Sequence, residues 1–234
     1  MVIPGIETPL SRAIAERRAT RHYEPTPVDE DDLRKILEAG LAAPSGYNLQ
    51  PWRFVVVRDL EQRTRLREAA MGQAKVEESP VVIVACGDPH GWRNGDLDEM
   101  LRMAALHGSD GPAKHESVRR NVIRFLGGVP GNQGGIGPDL AVWVNRQVMV
   151  AFTTMMWMAE VLGYDTAPME GFWEDQVKAV LKIPDSVRVV ALLAIGHGKD
   201  AEKPFAERFP MSRSVFAEEW GKSIRVAGDR HELG

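Results

Sequence analysis

The stretch Asp139–Tyr164, DLAVWVNRQVMVAFTTMMWMAEVLGY, restricts the possible folds of this chain more than any other. At about 1.5 Å per residue it reads as one helix of nearly 40 Å, over about 139–162. Asn145, Arg146 and Gln147 interrupt it a third of the way along, and Glu160 stands near its end. A charge cluster inside the run argues against a membrane span. What remains is a helix buried on most sides, in the core or against another subunit. Val142, Val148, Val150, Phe152, Met155, Met156 and Met158 point several ways around it, which is more apolar surface than one core easily uses. The pattern predicts an obligate homodimer.

The rest of the chain supplies partners for this helix. Leu10, Ala13 and Ile14 share one face of a helix in PLSRAIAERRAT, and VDEDDLRKILEAGLAAP is a second, amphipathic helix with acids in its first turn. A strand follows at about Arg53–Val57, then a helix capped by Asp59 and running to about Met71. PVVIVACGD and VRVVALLAIGHG are continuous apolar runs, read as buried strands. Helices are expected near 97–107, 115–126 and Trp173–Leu181, with a short connection through Pro168. Few strands separated by many helices make an α+β pattern in one domain over 1–234, with a mixed region at about 88–137 and a polar extension at about 211–234.

A formal net charge of −4 leaves no basic footprint for nucleic acid. The single cysteine, Cys86, precludes an intrachain disulfide, and the first residues lack a basic segment followed by an apolar run. The expectation is a cytoplasmic protein with neither nucleic-acid nor membrane partner. No nucleophile elbow, phosphate loop or dinucleotide glycine fingerprint is present. The six histidines form no close ligand pair, so no metal site is indicated. Cys86, inside a strand pattern, reads as a small buried hydrophobe.

Four polar anomalies are left. ERRATRHY crowds Arg17, Arg18 and Arg21 at a helix end, which suits either a solvated face or a bound anion. APSGYNLQPW sets Ser45, Asn48 and Gln50 between Pro44 and Pro51, where the chain is about to enter a core. APMEGFWED places Gly171 before aromatic residues and a new helix, whose first N–H groups can face a ligand. KPFAERFP adds basic residues from Lys203 onward.

Together with GQAKVEESPVVIV, these segments resemble the nitroreductase family of flavin enzymes, from about Leu10 to Pro210. RRATRHY matches the family's arginine-rich helix end, with Ala19 where serine is frequent. PSGYNLQPWRF, PMEGF and the closing IGHGKDAEKPFAERFP match its other motifs in register. The match is weakest at about 88–137.

The resemblance implies a central, mostly antiparallel sheet flanked by helices, a long helix at a dimer interface, and FMN shared there between subunits. It assigns Pro44, Ser45 and Asn48 to the flavin from the partner chain, with Gln50 a further polar contact or a structural one. Flavin's pyrimidine edge needs neutral donors and acceptors on an ordered loop, and flanking prolines stiffen such a loop. It assigns Arg17 and Arg18 to the ring edge and ribityl region, with a backbone contact at Ala19. Arg21 and Arg208 go to the phosphate, Lys203 more weakly. Gln73 and Lys75 go to the pyrimidine edge. Pro168, Met169, Glu170 and Gly171 approach the ring, and the Glu170 and Gly171 amides face its reactive nitrogen. The implied activity is ping-pong reduction of nitroaromatics, quinones or related electron-poor acceptors by NAD(P)H, without an acid or base side chain. Enone reduction and reductive dehalogenation stay open, as do flavin sequestration and a phosphate-binding module. Trp92, Phe125 and the Gly127–Gly137 loop are candidates for shaping the acceptor pocket.

Overall fold

The computed structural model describes residues 8–106, 111–127, 139–199 and 207–224. The first of its two compact units spans Met1–Ala201. In it, α1 (Pro9–Glu16) and α2 (Glu30–Leu41) precede β1 (Trp52–Val57). Then come α3 (Leu60–Ala69), α4 (Ala74–Glu78) and β2 (Val81–Gly87). A single π-type turn (Trp92–Asp96) leads into α5 (Leu97–Leu106), which is followed by α6 (Pro112–Leu126). Last are α7 (Leu140–Val161), β3 (Asp165–Met169), α8 (Glu174–Leu181) and β4 (Arg188–Gly196). The second unit, Glu202–Gly234, contains α9 (Met211–Ser214) and an antiparallel bridge between Phe216 and Ser223.

The sheet runs β1-β2-β4-β3 with every pair antiparallel. Its central strands are buried on both faces, as their unbroken apolar runs require. Ile83, Ala85, Leu193 and Ile195 face a core shared with α2, α5, α6 and α7. Val82, Val84, Cys86, Leu192 and Ala194 face a second core shared with α3, α4 and α8. The result is two helical layers around one sheet, the α+β architecture read from the sequence.

Side-chain oxygens cap most of the long helices. Thr8 and Ser11 form a reciprocal box at α1, and Asp29, Asp59 and Asp139 accept backbone N–H groups at α2, α3 and α7. The expected strand at PVVIVACGD and the long helix both form. No helix among the described residues is long and apolar enough to cross a membrane.

Three expectations change. The first helix stops at Glu16, and of its apolar face only Ala13 is buried, while Leu10 and Ile14 stay exposed. The connection through Pro168 is a strand, β3. Proline is tolerated there because β3 is an edge strand, where a missing N–H costs no ladder bond. The polar stretch before β2 contains the short helix α4.

The layer of α7 lies unusually close to β2. A Cβ added at Gly87 would strike a Val144 methyl and stand 3.0 Å from one of Val148. Both neighbours are β-branched and hold one rotamer in a helix, so neither can turn aside. Gly87→Ala is therefore expected to destabilise the protein by about 1–3 kcal/mol through overpacking. Urea unfolding should show a lower midpoint with an unchanged slope; an unchanged midpoint would contradict this packing.

Candidate active site

The residues singled out by sequence collect at the two ends of α7. At its N-terminal end is the loop Pro44–Gln50. Ser45 Oγ accepts from the Gln50 N–H at 3.0 Å, Asn48 N–H donates to the Ser45 carbonyl at 2.9 Å, and Gln50 Nε2 donates to the Asn48 carbonyl at 3.2 Å. Gly46 N–H donates to Gln147 Oε1 of α7 at 2.8 Å. Tyr47, Asn48 and Gln50 have φ of 55°, 55° and 47°, a left-handed conformation that costs a non-glycine residue about 1 kcal/mol. Two of the three polar side chains thus build the loop. Asn48 remains exposed, and its side-chain amide bonds to no described residue.

At the other end are Arg17–Arg21 and the segment from β3 onward. Ala19 pairs in parallel with Thr166, and Thr20 N–H donates to the Thr166 carbonyl at 3.1 Å, so the chain extends the sheet beyond β3. Thr166 Oγ1 donates to Glu160 of α7 at 2.6 Å. The Arg17 guanidinium lies 5.9 Å from the Trp157 ring centroid, and its buried Nη1 has no hydrogen-bond partner. Arg18 Nη1 donates to the carbonyls of Ala15 at 2.9 Å and Arg17 at 2.8 Å.

The second layer closes on the same end. Burial, and then the nearby Arg21 guanidinium, hold the Lys75 ammonium below the ordinary lysine range. Neither cation forms an ion pair with a described residue. Gln73 Nε2 donates to the Gly171 carbonyl at 2.7 Å and to the Ala70 carbonyl at 3.1 Å, so it ties PMEGF to the α3–α4 junction. Pro168 and Glu170 are exposed at the sheet edge, while Met169 between them is buried. Gly171 is exposed, and a Cβ there would meet only Gln73 Nε2 at 3.6 Å and Met71 Sδ at 3.8 Å, so contacts within the chain do not demand glycine.

One chain does not join the two ends. Gln147 and Glu160 mark them, thirteen residues apart on a rigid helix, or about 20 Å. Pro44, Ser45, Asn48 and Gln50 lead into one edge of the sheet, while Ala19 and Pro168–Gly171 belong to the other. Lys203 lies outside the described residues. Arg208 belongs to the second unit, where it is exposed and donates to the Glu207 carbonyl at 3.2 Å. Of the suggested pocket residues, Trp92 is buried and Phe125 is half-buried, its ring 5.8 Å from that of Tyr47. Residues 128–137 of the glycine-rich loop lie outside the described residues. Burial pushes the Cys86 thiol up to about 12, which makes it inert.

Sequence reasoning missed Gln147, Trp157, Glu160, Thr166 and Glu78. Glu78 accepts from His22 Nδ1 and the Tyr23 N–H, each at 3.2 Å, and so pins the chain after Arg21 to α4. Gln147 and Glu160 left a signal, as polar residues in an apolar helix; Glu78 left none.

The profile of the Nitroreductase family matches residues 14–123 and 133–197. The chain belongs to that family. A Thermus thermophilus protein named NADH dehydrogenase is 36% identical over 204 residues, covering 87% of this chain and 93% of that one. Protein DrgA of Synechocystis is 29% identical over 187 residues, covering 79% and 81%. Among solved structures, Bacillus subtilis YdfN superposes with a TM-score of 0.79 at 26% identity, covering 88% of this chain and 97% of its own. A protein from Exiguobacterium sibiricum, solved in complex with FMN, superposes with a TM-score of 0.75 at 26% identity, covering 91% and 98%. The resemblance read from the sequence motifs is borne out, and the chain is an oxidoreductase of this family.

Gln147→Leu should release the loop without opening the core. Losing one hydrogen bond of about 1 kcal/mol is expected to speed amide exchange at Gly46 several-fold. Exchange as slow as in the parent protein would show that Gln147 does not hold the loop.

Proposed function

We propose that this protein is an FMN-dependent oxidoreductase that uses NAD(P)H to reduce nitroaromatics, quinones or related electron-poor acceptors, working as a homodimer with flavin at the interface. The observation that carries the reading is the cationic end of α7. Arg21 and Lys75 repel each other, with no acid among the described residues paired to either, and the buried Arg17 Nη1 has no hydrogen-bond partner among them. Burial penalises the Lys75 charge and the unpartnered Arg17 Nη1, and a bound anion would offset that cost. A flavin phosphate, or a ring that gains negative charge on reduction, meets that need. FMN in the Exiguobacterium sibiricum relative agrees with this choice.

When bound, the flavin would supply hydride transfer between a reduced nicotinamide and the acceptor. The chain's own groups then bind and orient. Arg17 and Arg18 would hold the ribityl and ring edge, and Arg21 and Lys75 would supply positive charge. Gln73 holds PMEGF by the Gly171 carbonyl, and the Glu170 and Gly171 peptides would then face the ring. The absence of a Cβ at Gly171 leaves room for a flat ligand against the backbone. The Asn48 side chain, which bonds to no described residue, would be a donor and acceptor for the pyrimidine edge.

The outer face of α7 supports the dimer. Val142, Val150 and Val161 are exposed there, along the stripe that contains Trp157, and α1 adds exposed Leu10 and Ile14. Apolar surface of this extent calls for a partner. A two-fold axis across α7 would set the N-terminal end of one copy against the C-terminal end of the other. Asn48 of the partner subunit would then reach the half-site of Arg21, Lys75 and Gly171 that its own chain leaves about 20 Å away.

The purified protein is expected to be yellow, with one FMN per chain. NADH or NADPH should bleach it, and a quinone or nitroaromatic should restore the colour. Absence of flavin after reconstitution would overturn the reading; flavin that is never reduced would favour sequestration. Arg21→Ala is expected to weaken flavin binding about ten- to hundredfold, since it removes a charge-assisted contact. Lys75→Ala should instead lower the reduction potential of the flavin that stays bound, and a redox titration separates the two effects. Gly171→Ala should melt like the parent protein yet bind flavin less well; loss of folding would place the demand for glycine inside the chain.

A further inference from the structure

We propose that Arg53 is a positioning residue that latches the loop before β1 to the root of α5 and thereby sets which acceptors enter the pocket. The proposal rests on the reading that this loop and α5–α6 frame the flavin site. Arg53 reaches both at once. Its Nη1 donates to the Gln50 carbonyl at 3.3 Å and the Trp52 carbonyl at 2.9 Å. Its Nη2 donates to the two carboxylate oxygens of Asp96 at 2.9 and 2.8 Å, with Asp88 4.0 Å behind. Asp96 ends the π-type turn Trp92–Asp96 and stands immediately before α5.

The surroundings are shaped to this contact. A Cβ at Gly91 would strike the Asp96 carboxylate and lie 3.2 Å from Arg53 Nη2, so the fork fits only because position 91 has no side chain. Gly95, inside the turn, has a φ of 127°, which a residue with a side chain rarely adopts. The Asp96 N–H donates to the Gly91 carbonyl at 3.0 Å and closes the turn behind the fork.

The latch closes a ring of contacts. Asp96 fixes the start of α5, and Asp98 of α5 pairs with Arg119 of α6 at 2.7 Å. Phe125, further along α6, meets Tyr47 at 5.8 Å, and Tyr47 returns to the loop that Arg53 holds. Movement at the root of α5 therefore reaches the loop from two sides. Arg53 and Asp96 are each partly exposed, so their contact is weaker than a buried ion pair and can open during turnover. Only a planar, forked cation spans the two carbonyls and the carboxylate together, so lysine is a poor substitute.

The two arms of Arg53 separate the test. Asp96→Asn loosens the arm to α5 and leaves the tether to Gln50. Arg53→Gln removes both. Each variant is loaded with FMN, reduced with NADH or NADPH, and mixed with benzoquinone or the larger naphthoquinone. Asp96→Asn is expected to shift the ratio of kcat/KM for naphthoquinone over benzoquinone upward by about fivefold or more, with flavin affinity unchanged. Arg53→Gln should shift the ratio as far and also weaken flavin binding, Arg53→Lys should not restore the parent ratio, and Asp96→Glu should restore part of it. If the variants melt earlier while both the ratio and flavin affinity stay at parent values, Arg53 is structural only and the proposal fails. A parent protein that takes up no flavin would overturn the reading beneath the proposal, and this is seen before any variant is compared.

Discussion

The packing of α7 onto the sheet is the contact on which the rest depends. It is close because Gly87 opens a seat for Val144 and Val148, and because Gly40 of α2 leaves room for Met155, whose Cγ stands 2.5 Å from where a Cβ would be. With Val144, Val148, Phe152 and Met155 all buried, the helix cannot slide or rotate without opening cavities. Everything attached to it is therefore fixed in space. Gln147 holds one loop, while Trp157 and Glu160 meet the other group of residues. Seated this way, a straight helix keeps the two groups about 20 Å apart.

Stability and function pull against each other at both ends. Three left-handed residues in four positions strain the loop before β1, and the Ser45, Gln50 and Gln147 bonds offset that strain. At the far end, Arg21 and Lys75 stand together without an ion-pair partner among the described residues, held by neighbouring contacts such as Glu78 on the chain after Arg21. Local rules broken together in this way mark sites where a chain is shaped for a ligand rather than for its own stability.

Much of this was legible in the sequence, for physical reasons. Buried central strands must be continuously apolar, and β2 and β4 read plainly. The acids in the first turn of α2 and the cap at Asp59 announced their helices. β3 was hidden by Pro168, which signals a break unless the strand is known to lie at an edge, and edges are set by the tertiary fold. The motifs located the site residues, but the use of each side chain depended on neighbours distant in sequence. Ser45 looked like a ligand contact and Gln50 like either a ligand contact or a structural one, and in the chain the hydrogen bonds of both serve the loop. Gln73 looked the same, yet it holds Gly171 from 98 positions away. Arg53 drew no attention, because nothing in local sequence connects it to Asp96.

The central claim is that each site is completed by two chains, and subunit complementation tests it most directly. Asn48→Asp places a negative charge at one half-site, and Lys75→Glu does the same at the other. Neither variant alone should retain flavin-dependent activity. Refolded together in equal amounts, they form mixed dimers in which one site combines two damaged halves and the other two intact halves. The account predicts recovery of about a quarter of the parent activity, since half of the dimers are mixed and each has one good site. A mixture that stays inactive, with mixed dimers verified by native mass measurement, would contradict it.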